Sequence, residues 1–124
     1  MDVNSICHRI LIPMTAFSSE IDESKAPALI AGDKFLGVYR NSIENECIYF
    51  SNFGIYFFNP GVNTWEHLRY VEIDEIEDPP IENRFGLKLK AKSGAVIKLN
   101  FDGSKDLKFF DSYEVLRFFD RIRH

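Results

Sequence analysis

Hydrophobic and polar residues alternate most regularly between Arg84 and Phe101. Phe85, Leu87, Leu89 and Ala91 interleave with Gly86, Lys88, Lys90 and Lys92; Ala95, Ile97, Leu99 and Phe101 then interleave with Val96, Lys98 and Asn100. A period of two sends neighbouring side chains to opposite faces, so each run predicts a half-buried strand. Opposed residues of an antiparallel pair share a face, and the loop between them must preserve that parity. A two-residue loop, Ser93-Gly94, would set Leu89 against Lys98. The three-residue loop Lys92-Ser93-Gly94 sets Leu89 against Ile97 and Leu87 against Leu99, with Gly94 in the left-handed position, and this is the register expected.

Upstream the runs are shorter and richer in aromatic residues. Residues 35–40, 47–50 and 54–58 read as strands, the last two joined through Ser51-Asn52-Phe53 as a hairpin. Asn59-Pro60-Gly61 imposes a turn, because proline presets φ and glycine accepts positive φ. Residues 65–70 follow, with Trp65, His67 and Arg69 on one face and Glu66, Leu68 and Tyr70 on the other. Residues 71–76 form a short strand with Val71, Ile73 and Ile76 inward, until Asp78-Pro79-Pro80 breaks it. From Asp111 the period becomes helical: Val115, Leu116, Phe119 and Ile122 share one face. Asp111 stands as N-cap with Glu114 three residues on, a capping-box arrangement, and Arg121 and Arg123 complement the negative end of the dipole. At the other terminus Ser5 or Asn4 caps a short helix carrying Ile6, Ile10 and Leu11, which Pro13 stops. Residues 15–32 read as loop or weak helix.

These elements predict a mainly β fold of the α+β class. About seven antiparallel strands form a bent sandwich or barrel closed by the C-terminal amphipathic helix, and residues 1–32 are an N-terminal segment packing on a domain of residues 33–124. With 124 residues, 45% apolar and 27% charged, the chain buries enough surface to fold as one domain without metal or disulfide. Cys7 and Cys47 form no C-x-x-C, so reduced, buried thiols and a cytoplasmic setting are expected. Neither an apolar run of membrane-spanning length nor a secretory leader pattern is read. The net charge of −4 is uneven: residues 1–83 hold 5 basic and 14 acidic residues, residues 84–124 hold 10 and 5. An acidic chain argues against nucleic-acid binding, whose affinity comes mainly from neutralising phosphates.

The run Glu46-Cys47-Ile48-Tyr49-Phe50-Ser51-Asn52-Phe53-Gly54-Ile55-Tyr56-Phe57-Phe58 resembles the apolar-Tyr-apolar-Thr-Asn hairpin of pleckstrin-homology-like domains, in particular their GRAM and bacterial branches. A Trp-containing strand (Trp65) and an apolar-x-x-Asp-Ile strand end, matched by Val71-Glu72-Ile73-Asp74-Glu75-Ile76, follow in the same order. The resemblance covers about residues 33–123 and implies seven strands and a closing helix. Its phosphoinositide-binding members gather Lys and Arg between the first two strands. Here that loop reads Arg40-Asn41-Ser42-Ile43-Glu44-Asn45-Glu46, and one Arg beside two Glu makes a poor phosphate cradle, so no lipid site carries over.

The remaining chemistry is sparse. His8, His67 and His124 have no partner at metal or triad spacing, and Cys47, inside a strand, reads as core more readily than as a nucleophile paired with His67. No catalytic residue, metal site or cofactor is expected. The acidic run Glu72, Asp74, Glu75, Glu77 and Asp78 lacks the glycine of a calcium loop and reads as a solvated strand edge. Lys88, Lys90, Lys92 and Lys98 project from one face and are the candidates for an anionic membrane surface; the ordinary fate of such a stripe is a soluble outer face. Aromatic residues on both faces of adjoining strands are the strongest functional hint, since something must cover the second face: the N-terminal segment with Ile6, Ile10, Leu11 and Phe17, or a partner. Trp65, Phe53, Tyr56 and Tyr70 are therefore the partner-binding candidates. A non-enzymatic module for a protein or peptide partner is the favoured reading, a peripheral membrane binder the alternative, a small enzyme the least favoured. A second copy of the chain is a further candidate partner.

Overall fold

The computed structural model describes residues 2–42, 46–105 and 109–123. After helix α1 (Val3–Ile10) come a two-residue strand β1 (Phe17–Ser18) and four longer strands: β2 (Phe35–Arg40), β3 (Cys47–Ser51), β4 (Gly54–Asn59) and β5 (Thr64–Arg69). A 3-10 turn, Tyr70–Glu72, leads into β6 (Ile73–Glu77), β7 (Gly86–Ala91) and β8 (Val96–Asn100). Two short strands, β9 (Ser104–Lys105) and β10 (Phe109–Phe110), precede helix α2 (Asp111–Arg123). All pairings are antiparallel. β1 to β5 make a five-stranded sheet in sequence order, β6 to β8 a three-stranded one, and β9 pairs with β10. No ladder joins the larger sheets among the described residues, so the expected barrel alternative is corrected: the two sheets do not close into one.

The β7–β8 hairpin has the register expected of its three-residue loop. Leu89 lies opposite Ile97 and Leu87 opposite Leu99, and Gly94 takes φ +94° in the connecting loop. The inward residues of both sheets meet the helices in one hydrophobic cluster: Phe50, Ile55 and Leu68 from the first sheet, Leu87, Leu89 and Leu99 from the second, Ile6 and Ile10 from α1, Val115, Phe118 and Phe119 from α2. Burying each of the last three contributes roughly 2 kcal/mol. The N-terminal segment reaches into the interior as far as β1, since Leu11, Met14 and Phe17 also belong to this cluster.

Several local expectations need correction. Val71 is 66% exposed, because the chain coils once before β6. Tyr70 takes the inward place instead and donates its hydroxyl to Ser51 O at 2.8 Å. Phe85 is 40% exposed; it precedes β7 and packs edge-on against Phe110. Ala95 is likewise exposed, just ahead of β8. The N-cap of α1 is Asp2, whose carboxylate accepts from Asn4 N–H. Asp111 is the first residue of α2 and turns its carboxylate to Tyr39 on β2, where the capping-box reading aimed it at its own helix. Phe118, absent from the expected apolar face, is fully buried, while Leu116 and Ile122 are only partly so. No described helix is long and apolar enough to cross a membrane.

Candidate functional site

The first sheet has apolar residues on both faces, as the aromatic pattern required. Its second face carries Val38, Tyr49 and Tyr56, with Phe35, Cys47 and Trp65 beside them. What covers them is the stretch between β1 and β2, through Ile21 and Ala26. The expected cover, Ile6, Ile10, Leu11 and Phe17, lies in the main core instead. This strap is fastened at its end by Asp33. The Asp33 carboxylate accepts from Ser51 Oγ at 2.6 Å, Tyr56 Oη at 2.8 Å and Phe53 N at 3.1 Å. Tyr56 Oη in turn accepts from Ile30 N at 3.0 Å. Burial pushes the Tyr56 phenol up to about 12, so it stays a donor at neutral pH.

Where the strap leaves the sheet, a cleft of about 840 Å³ opens. Its floor is aromatic: Trp65 stands edge-on to Tyr49 at 5.5 Å and to Phe58 at 5.6 Å. The register explains the grouping, because Arg40 pairs with Cys47 and Phe58 with Trp65, bringing all four to one end of the sheet. Arg40 and Lys25 line the walls, the second from the strap. Asp22 lines them too, but its carboxylate accepts from Ser24 N and Oγ at 3.1 and 2.6 Å. Those bonds, helped by Lys25 and Arg40, hold it below the usual carboxylate range. Among the described residues the ion pairs are Lys88–Glu77 and Arg117–Glu114, with His67 3.9 Å from Asp33 a pair only when the imidazole is protonated, so Lys25 and Arg40 both lack one.

Of the four aromatic candidates, Trp65 alone lines the cleft. Tyr56 is 2% exposed and Tyr70 5%, and Tyr70 belongs to the main core. Neither presents a surface to a partner, which corrects their place among the contact candidates. Phe53 is half-buried at the β3–β4 turn, under the Arg69 guanidinium at 5.7 Å. The lysine stripe does share one face, but β6 supplies acidic neighbours to it: Glu77 faces Lys88 and Glu75 faces Lys90. Lys88 Nζ is 3.6 Å from Glu77 Oε2. Lys98 sits opposite Lys88, and Lys92 lies in the hairpin loop. The stripe is thus a mixed-charge surface with two unopposed lysines at its margin. Of the acidic run, Asp74, Glu75 and Glu77 lie on β6, an edge of its sheet, with Glu72 in the turn before it and Asp78 just after it.

Cys47 and His67 are not neighbours in the ladder. Cys47 is on β3 and His67 on β5, opposite Tyr56, two strand spacings across and two residues along, a separation of about 12 Å. Burial raises the Cys47 thiol, with Arg40 and Lys25 pulling the other way; Cys7, buried in α1, is pushed up to about 11. Both cysteines are free, and Cys47 is half-buried rather than buried. Among the described residues no group of three or more His, Cys, Asp or Glu could hold a metal. His8 is exposed on α1; His124 and the loop positions 43–45 fall outside the described residues. Sequence reasoning missed Lys25 and Asp33. Both sit in a stretch without periodicity, and only their meeting with β2 to β5 distinguishes them from ordinary loop charges. No protein-family model, curated protein or solved structure matches the chain.

Proposed function

We propose that the chain is a non-enzymatic, pleckstrin-homology-like interaction module that binds a protein or peptide partner at the Trp65 cleft. The order of elements supports the family likeness: four longer strands, then three, then a C-terminal helix against the shared core. The observation that carries the binding role is the half-open cleft with an aromatic floor, since concave apolar sites with a few polar groups are where ligands are held. The thiol on its floor is held protonated by burial and is remote from His67, which favours packing over catalysis. We place the module in the cytoplasm, where two free thiols persist. The acidic partners of the lysine stripe argue against the membrane alternative, because attraction to anionic lipid needs cations that are not already opposed.

The test is retention of a protein from an extract of the source cells by the immobilised chain, compared with a Trp65→Ala chain of verified fold. A protein held by the first and lost by the second is the expected result. Headgroup-selective binding to immobilised lipids with no protein retained would overturn the reading.

A further inference from the structure

We propose that the Trp65 cleft takes an acidic peptide. One apolar side chain of that peptide seats on the Tyr49–Phe58–Trp65 floor, and a carboxylate beside it meets Lys25 and Arg40. This inference rests on the reading of the chain as an interaction module and names the chemistry of its partner. The chain as a whole carries −4, yet the two side chains that flank this floor as cations come from separate parts of the sequence and converge on it. Neither is ion-paired among the described residues, and the one acid lining the cleft already accepts two hydrogen bonds within its own turn.

An anion entering here meets two cations against the single carboxylate of Asp22, and breaks no salt bridge among the described residues. The planar guanidinium of Arg40 suits a carboxylate, to which it can donate two parallel bonds. The neighbouring rings suit an aromatic or aliphatic side chain, which gains most where three edges converge. A volume of about 840 Å³ accommodates a few peptide residues. A membrane fits less well, because a bilayer presents a broad plane to many cations, whereas this rim offers two cations around a hollow. Both are solvent-exposed, so reversing them leaves the fold intact.

Trp65 is the chain's single tryptophan, so its emission reports on the cleft and nothing else. The experiment selects a random peptide display library on the whole chain and measures the enriched peptides by Trp65 fluorescence, against wild type and the double variant Lys25→Glu, Arg40→Glu. The expected outcome is peptides that pair Asp or Glu with an apolar residue, shift Trp65 emission, and lose about tenfold or more in affinity to the double variant. Peptides that shift Trp65 emission, lack acids and bind the double variant equally would overturn the inference while leaving the module reading standing. Peptides that bind without changing the emission would do the same. Recovery of no peptide, together with an emission shift on vesicles of phosphatidylcholine and phosphatidylserine, would sink both.

Discussion

The hydroxyl of Tyr39 donates to Asp111 Oδ2 at 2.7 Å, joining β2 to the first residue of α2 across 72 positions of sequence. Gly103 N donates to the same hydroxyl at 2.9 Å, and Asp111 N donates to Gly103 O at 3.0 Å. One corner thus ties the first sheet, the β8–β9 connection and the closing helix. Burial raises the Asp111 carboxyl, and the Tyr39 bond pulls it back down. Tyr39→Phe leaves the carboxylate and the Gly103 N–H without their partner, and should cost about 1–3 kcal/mol. Asp111→Asn retains an acceptor and should cost less. Equilibrium urea unfolding measures both, and a Tyr39→Phe chain as stable as wild type would refute the role of this corner.

Asp33 is the fastening of the strap, so its removal should open the second sheet face before it unfolds the molecule. Asp33→Ala leaves the Tyr56 hydroxyl and the Phe53 N–H without their acceptor, while Ser51 Oγ keeps Gly54 O at 3.0 Å, at a cost of about 2–3 kcal/mol. Amide exchange of the strap should rise, and Trp65 emission should move to longer wavelength as water reaches the floor. Equal protection of the strap and the core in the variant would contradict this order of opening.

Acid should destabilise the fold through a neighbour of Asp33. His67 packs on Tyr56 with ring centroids 4.3 Å apart, and its Nε2 is buried with no hydrogen-bond partner, 3.9 Å from Asp33 Oδ2. Burial holds the imidazole below its ordinary 6.5; Asp33 and Glu72 oppose that shift and Arg69 adds to it. The unfolded chain therefore takes up the proton at a higher pH than the fold does. The contribution of neutral His67 is full above the unfolded value and is lost as pH falls through the folded one. The thermal midpoint should drop between about pH 7 and pH 5, and drop less in His67→Phe. Parallel curves for the two chains would exclude His67 as the cause.

Two glycines should respond differently to alanine. A Cβ at Gly54 would overlap Leu68 O and Arg69 Cα, on the strand opposite, so Gly54→Ala should cost about 3 kcal/mol. At Gly94 nothing lies within 4 Å and only the φ of +94° resists, so Gly94→Ala should cost about 1 kcal/mol. Comparable losses at the two sites would mean that crowding is not what holds position 54.

On the outer face of the second sheet Lys98 lies opposite Lys88, a like-charge pair. Lys98→Glu turns repulsion into attraction and should stabilise the chain by about 0.5 kcal/mol, the gain fading as salt is added. A gain that persists at high salt would point to a cause other than charge.

The strands and the hairpin parity were legible because they follow from neighbours in sequence. A period of two assigns Leu87, Leu89 and Leu99 to one face whatever they pack against, and the left-handed Gly94 closes the only loop that keeps them there. The face of α2 was legible in outline for the same reason. Val71 escaped because a single coil of 3-10 turn shifts which residue points inward, and one turn leaves no periodic trace.

The strap, and with it the cleft, had no such trace. Residues 18–33 show no alternation, and the value of Asp33 and Lys25 comes from Tyr56, Ser51 and Arg40, which are many positions away along the chain. Short-range sterics and polarity settle what each segment is. Which face a loop covers, and which charges it leaves unopposed, depends on how the whole chain closes on itself, because burial and charge pairing belong to the assembled molecule.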